Sequence, residues 1–323
     1  MGRRCRLGPA SLFGILGGAN MIVRPPLHWL RALTAWRGSV LPGLIPRLSF
    51  IFGLSLLALW LDQHRTVLPS SQPFSLVGIS LAVFLGFRNK AAYDRYWEGR
   101  KLWGQLLIES RSLMCQALTL PQPAFAKSDA QAFGALLIAF AHALRHQLRR
   151  TDPHDDLQRL LPAELAMRIE ASPQRPAVLL LELSGWVQAR ACAGAVGGYR
   201  MLAFEENLHR LSEVVGGCER IDNTPMPFAY SVMIHRTVHF FCALLPFSLV
   251  GSLGIYTPLF AVFVAYTFMA IESLAAELEE PFGVEANDLA LGALCIGIEN
   301  AVHALLGDGI EIAVTQRKDF VVL

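Results

Sequence analysis

The stretch FSLVGISLAVFLGF, residues 74–87, carries no charged side chain, and it is followed at once by RNKAAYDRYWEGRK, residues 88–101, which is rich in charge. Fourteen apolar residues fall short of the ~20 that cross a bilayer as a helix. A helix starting here crosses only if it continues past Phe87 with its charged end against water. Two further stretches, Leu48–Leu61 and Val238–Ile271, also lack Asp, Glu, Lys and Arg. The whole chain of 323 residues is 53% hydrophobic and 17% charged, against roughly 25% charged for a soluble domain. Buried core helices are the alternative explanation for one such gap. Three separate gaps point to contact with lipid.

Working outward gives the rest of the chain. Arg24, Arg31 and Arg37 stand among Trp29, Leu30, Leu33 and Trp36, a composition that suits a membrane interface. The first span is expected at Leu44–Leu61, with Pro46 and Arg47 near its start. Pro227–Leu253 and Tyr256–Leu278 form a second membrane pair, with Gly251, Gly254 and Pro258 marking the hairpin between them. Residues 1–20 carry arginines at 3, 4 and 6 ahead of the short apolar run Leu12–Ile15, too short for a signal peptide. They read as a disordered or mis-started extension before Met21.

From Arg88 to Met233 the chain is water-compatible and helical in pattern. Helices are expected at Glu98–Ala117, Gln131–Arg149, Ala163–Glu170 and Val178–Tyr199, and at Met201–Val215 closed by Gly216 and Gly217. A last helix is expected near Asp288–Leu306. The expected fold is all-α, a polytopic membrane protein with four transmembrane helices and a large helical cytoplasmic region. It divides at 1–20, 21–87, 88–229, 230–278 and 279–323. Basic residues flank the first three spans on one side: Arg24, Arg31 and Arg37, then Arg88, Lys90, Arg95, Arg100 and Lys101, then Arg236. The hairpin between the third and fourth carries none. Both termini and the middle region are therefore expected in the cytoplasm.

Several function classes drop out. A net charge of +2 with no long basic run gives nucleic acid nothing to bind. The six cysteines are scattered with no CxxC pair, which argues against a zinc site. His235 and His239 are spaced i, i+4, but Arg236 stands where a zinc protease has Glu, so they read as packed or interfacial histidines. Gly251-Ser252-Leu253-Gly254 lacks the spacing of a nucleophile elbow. The reading is of no enzyme and no cofactor.

Ile79, Val83 and Phe87 recur every four residues, on one face of a helix and about 6 Å apart along its axis. Copies of that helix around an axis would stack three apolar rings, a constriction of the kind that gates by dewetting. A helix–helix seam would show the same spacing. Gly78, Ala82 and Gly86 on a neighbouring face permit close helix approach in either case. Asp94 and Glu98 follow below Phe87. They would line a pore mouth and attract cations, or form salt bridges with Arg95, Arg100 or Lys101. Arg88, Lys90 and Arg95 point elsewhere, towards headgroups or partner carboxylates.

Trp36-Arg37-Gly38-Ser39, Phe84-Leu85-Gly86-Phe87, Arg95-Tyr96-Trp97, Gly217-Cys218-Glu219-Arg220-Ile221 with Pro225 and Pro227, and Glu280-Pro281-Phe282-Gly283 follow one another in order. In these residues, from Met21 to the last helix, the chain resembles the bestrophin family in its bacterial branch. The resemblance implies a homopentameric ion channel with one axial pore, partnered by its own copies, membrane lipids and permeant ions. The family's apolar neck falls on Ile79, Val83 and Phe87, Val83 being slimmer than the residue of some relatives. A second constriction at the cytosolic exit falls near Tyr199. Animal relatives are calcium-activated chloride channels with a run of about five acidic residues after Pro-Phe-Gly. Here only Glu285 and Asp288 remain. Calcium prefers six to eight oxygens, so no tight calcium clasp is expected. Selectivity is expected to lean to sodium and potassium through Asp94 and Glu98, with anions favoured by the Phe87 ring edge as the alternative. A secondary transporter and a membrane scaffold are the competing classes.

Overall fold

The computed structural model describes residues 39–64, 71–121, 127–285 and 287–313, and all regular structure among them is helical. Ten α-helices follow in order: α1 Leu41–Gln63, α2 Ser71–Thr119, α3 Lys127–Arg149, α4 His154–Leu160, α5 Ala163–Glu170, α6 Arg175–Cys192, α7 Gly198–Asn223, α8 Phe228–Leu253, α9 Thr257–Glu279 and α10 Leu291–Leu306. The extension at 1–20 and the interfacial segment to residue 38 lie outside the described residues.

The helices bury two separate cores. The first gathers Leu44 and Ile51 of α1, Leu81 and Leu85 of α2, Ile234, Val238, Phe241 and Leu245 of α8, and Ala261, Ala265 and Met269 of α9. Around this core the outer faces carry Phe50, Trp60, Phe240, Leu259 and Phe263, all exposed. A unit apolar inside and outside suits lipid and not water. Three segments are long and apolar enough to cross a bilayer: Leu41–Gln63, Phe74–Thr119 and Phe228–Glu279. The last doubles back through a 3-10 turn at Gly254–Tyr256. Gly254 holds φ +50, which only glycine adopts without strain. The hairpin register is fixed by Phe241 and Phe268, whose rings meet edge to face at 5.3 Å.

The second core lies among α2 to α7 and α10. Trp103 of α2, Phe133 and Phe140 of α3 and Phe204 of α7 are fully buried in it. Phe133 takes Trp186 at 4.5 Å and the edge of Phe204 at 6.3 Å. An ionic cluster staples the same unit. His142 of α3 faces Asp156 of α4 through Nδ1 at 3.1 Å and Glu299 of α10 through Nε2 at 3.3 Å. Asp156 also accepts from Arg145 at 2.6 Å, and Glu299 from Arg159 at 2.5 Å. Burial by itself would lower the His142 pKa, but the hydrogen bonds to both carboxylates outweigh it and hold the ring above its ordinary value. Burial likewise opposes ionisation of the two acids. Hydrogen bonds from His142 and His146 still hold Asp156 well below the usual carboxylate range. Those from His142 and Arg159 hold Glu299 at about 2.

Four boundaries depart from the sequence expectation. The segments 74–87 and Glu98–Ala117 are parts of one unbroken helix of 49 residues. Helix α6 ends at Cys192, short of the expected Tyr199. Helix α7 does not stop at Gly216 and Gly217 but runs to Asn223. A Cβ on Gly217 would lie 2.8 Å from the Leu102 side chain. That glycine lets α7 press against α2; it does not end the helix. The last helix begins at Leu291, three residues after Asp288.

Candidate functional site

Helix α2 belongs to both cores, and its buried positions trace one stripe: Leu81, Leu85, Arg88, Ala92, Tyr96, Gly99 and Trp103. The intervals of three and four residues keep this stripe against the chain's own helices. Ile79, Val83 and Phe87 lie on the opposite side, with relative exposures of 64%, 51% and 66%. They are therefore not a seam within the chain. Their partners are outside it, whether lipid or further copies of the same helix.

The charged part of α2 sorts its residues by face. Arg88, which directly follows Phe87, turns inward and is almost wholly buried. Its guanidinium donates to Glu272 at 3.3 Å and to Glu279 at 3.2 Å, both on α9. His235 of α8 meets the same Glu272 oxygen through Nδ1 at 3.1 Å. Two turns further on, Arg95 donates to three carbonyls: Glu279 at 3.1 Å, Thr224 at 2.6 Å and Ile221 at 2.7 Å. Two arginines thus peg α2 to the end of α9 and the end of α7, immediately behind and below the three apolar side chains. Neither peg was anticipated beyond a general expectation of partner carboxylates. A signal existed: Arg88 is the first charge after the gap at 74–87, and Glu272 the first after the gap at 238–271.

Asp94 and Glu98 do not stand as bare carboxylates. Lys90 donates to Asp94 at 2.5 Å, on the exposed surface of the helix. Glu98 pairs with Arg220 of α7. The partners are therefore Lys90 and Arg220, not the expected Arg95, Arg100 or Lys101. The Lys90 ammonium lies against both Asp94 oxygens, so the exposed surface beyond Phe87 carries an ion pair there and not a lone carboxylate. Tyr93 and Trp97 stack in parallel on the same outer surface, with centroids 6.4 Å apart.

The remaining expected residues are spread out. Tyr199 sits at the start of α7 and is 94% exposed, so nothing among the described residues packs closely on it. Asp288 folds back to accept from the Glu285 backbone N–H at 2.7 Å. Its carboxyl pKa rises to about 6, chiefly through burial. The two acids thus close a turn beside Gly283. His239 bonds the His235 carbonyl at 2.8 Å, and the two rings lie tilted with centroids 4.1 Å apart. The five cysteines among the described residues are free thiols.

A family model described as bacterial/fungal bestrophin protein matches residues 21–304. A protein of Ralstonia nicotianae named as voltage-dependent anion channel-forming is 60% identical over 291 residues, 89% of this chain and 95% of its own length. One of Escherichia coli K12 with the same description is 43% identical over 284 residues, covering 86% and 92%. The crystal structure of a bacterial bestrophin homologue from Klebsiella pneumoniae superposes with a TM-score of 0.78 at 42% identity, over 82% of this chain and 98% of that one.

Proposed function

This chain belongs to the bacterial and fungal bestrophin family, and from that premise we propose that it is one subunit of a homopentameric ion channel whose single axial pore is walled by α2. Ile79, Val83 and Phe87 then form three apolar rings, a neck that passes ions only when it widens. The observation that carries this reading is the outward turn of these three side chains on a helix whose other face is fully buried. Symmetric closure gives them a common axis to face.

Each subunit spans the plasma membrane four times, through α1, the first half of α2, α8 and α9, with both termini cytoplasmic. The neck lies in the unit 21–87, the helical region 88–229 forms the cytoplasmic vestibule, and Tyr199 rings its exit. Membrane lipids cover the exposed aromatics. Glu285 and Asp288 close a turn and form no tight calcium clasp.

The ions are small and monovalent, and anions are favoured. Lys90 neutralises Asp94, and Arg220 neutralises Glu98. This removes the bare carboxylate rings on which the preference for sodium and potassium rested. The relatives named as anion channel-forming point the same way. A cation channel is the second reading, favoured by the exposure of Asp94, whose oxygens a hydrated cation could still reach.

Purified protein in a planar bilayer under an NaCl gradient decides between them. The expected reversal potential is that of chloride, moving little in Asp94→Ala. Reversal at the sodium value, shifting in Asp94→Ala, selects the second reading. Saturable exchange without channel current would mean a transporter, and no flux a scaffold. Trimming Phe87 to Ala should raise the current without changing its sign. An image of the particle along its symmetry axis counts the subunits.

A further inference from the structure

Away from the neck, a cavity of about 370 Å³ opens in the cytoplasmic unit where α2, the end of α3, α7 and the loop after α9 meet. That volume lies within the usual range for small-molecule sites, roughly 300–1,000 Å³. Three guanidinium groups line it, Arg95, Arg149 and Arg150, against two carboxylates, Asp222 and Glu280. We infer that this cavity binds a compact phosphate-bearing small molecule from the cytosol.

The charges are poorly compensated. Arg95 spends its donors on the backbone carbonyls of Glu279, Thr224 and Ile221. Arg149 spends two of its own on the carbonyls of Phe282 and Leu289, at 3.4 and 3.1 Å. Among the described residues neither has a carboxylate oxygen within 4.0 Å. Both are half-buried; Arg149 feels Asp288 only from beyond ion-pair distance, and a half-buried cation with no paired counter-charge gains when an anion arrives. Guanidinium forks match the oxygens of a phosphate better than any other side chain does.

Arg150 supplies an independent sign. It follows α3 in the left-handed region, at φ +53, as the one non-glycine residue with positive φ among those described. The Thr151 N–H bonds the His146 carbonyl at 3.0 Å and the Arg150 N–H that of Gln147 at 3.3 Å. This is the helix ending that ordinarily places glycine at Arg150's position. A long cation is kept there at the expense of backbone strain. Its side chain is 79% exposed and reaches only to Asp222, at 3.6 Å.

The test is a titration of the full, detergent-solubilised assembly with pyrophosphate at constant ionic strength, read as a rise in the unfolding midpoint and by calorimetry. Wild type should bind saturably. Arg150→Gly should weaken binding tenfold or more, yet unfold at the same or a higher temperature without ligand, because glycine relieves the strain. Asp222→Asn, which removes a competing anion, should tighten binding severalfold. Succinate should bind more weakly than pyrophosphate. Equal affinity in Arg150→Gly, equal affinity for succinate, or no saturable pyrophosphate binding would overturn the proposal. Repeating the titration in nanodiscs of zwitterionic or anionic lipid separates a cytosolic phosphate from a headgroup. Stabilisation by anionic lipid alone, lost in Arg150→Gly and accompanied by no response to pyrophosphate, also overturns it. Since binding is read by heat, the outcome is independent of whether the assembly conducts.

Discussion

The apolar unit of α1, α8, α9 and the first half of α2 and the unit of α3 to α7 and α10, proposed to be cytoplasmic, are built in the same direction and finished differently. In both, charges that matter are turned inward. Arg88, Glu272 and Glu279 meet behind the proposed neck, and His142, Asp156 and Glu299 meet between α3, α4 and α10. The outer surface separates them: aromatic and aliphatic on one, polar on the other. The driving forces differ accordingly. Water pushes the cytoplasmic core together through the hydrophobic effect. Lipid offers no such push, so the apolar unit relies on packing and a few internal polar links. Helix α2 belongs to both, and its inward stripe runs without a break from Leu81 to Trp103 while the medium outside it changes at Arg88.

The most severe way to break this contrast is to cut equal aromatic rings from the two units. Phe140→Ala, in the cytoplasmic core, should cost about 3–5 kcal/mol. Phe263→Ala, on the outer face of α9, should stay within about 0.5 kcal/mol. Denaturation of the purified protein followed by intrinsic fluorescence compares them. Next in size is the link behind the neck. Glu272→Ala leaves Arg88 buried with only Glu279, and should destabilise by about 2–3 kcal/mol. A loss below that of an exposed ion pair, such as Arg168 with Glu182, would show that Arg88 is solvated after all.

A third measurement uses pH and concerns the cluster of His142, Asp156 and Glu299 together with Asp288. Glu299 has a folded pKa of about 2, below its unfolded value, so its contribution is present above roughly 4.5 and is lost as pH falls towards 2. His142 is shifted upward, so its contribution is full below roughly 6.5 and fades as pH rises through the raised value. Asp288, raised to about 6, favours the folded state while protonated, and that contribution fades as pH rises from roughly 4 through 6. Stability should therefore peak in mildly acidic solution, and His142→Gln should flatten the alkaline limb. The smallest effect expected is that of Asp288→Asn. At pH 7–8 it should be neutral or stabilising by about 0.5 kcal/mol, because the amide keeps an acceptor for the Glu285 N–H without burying a charge. Midpoint scans at two pH values suffice.

The outline of the fold was legible because lipid contact leaves a one-dimensional mark. Gaps without charge at 48–61, 74–87 and 238–271 needed no partner to be read. The four-residue recurrence of Ile79, Val83 and Phe87 likewise marked a helix face. Legibility failed where the decisive neighbour is remote. Leu102 explains why α7 passes Gly217, yet it lies 115 residues earlier. Glu272 holds Arg88 across 184 residues. Arg220, which takes Glu98, is 122 residues away. Lys90 and Asp94 are a different case, since an i, i+4 pair can be read locally. The expectation that Lys90 meets headgroups or a partner carboxylate left room for this pair, but it did not name Asp94 as the partner.

The unbroken run of α2 has a mechanical side. At 49 residues it is a rod about 70 Å long. Taking Arg95 as the fulcrum, the arm to Thr119 is about 36 Å and the arm to Ile79 about 24 Å. A rigid tilt of some 3 Å at Thr119 is then returned as about 2 Å, reversed, at Ile79. In the proposed channel, a load on the Thr119 end of this lever would reach the neck without touching it.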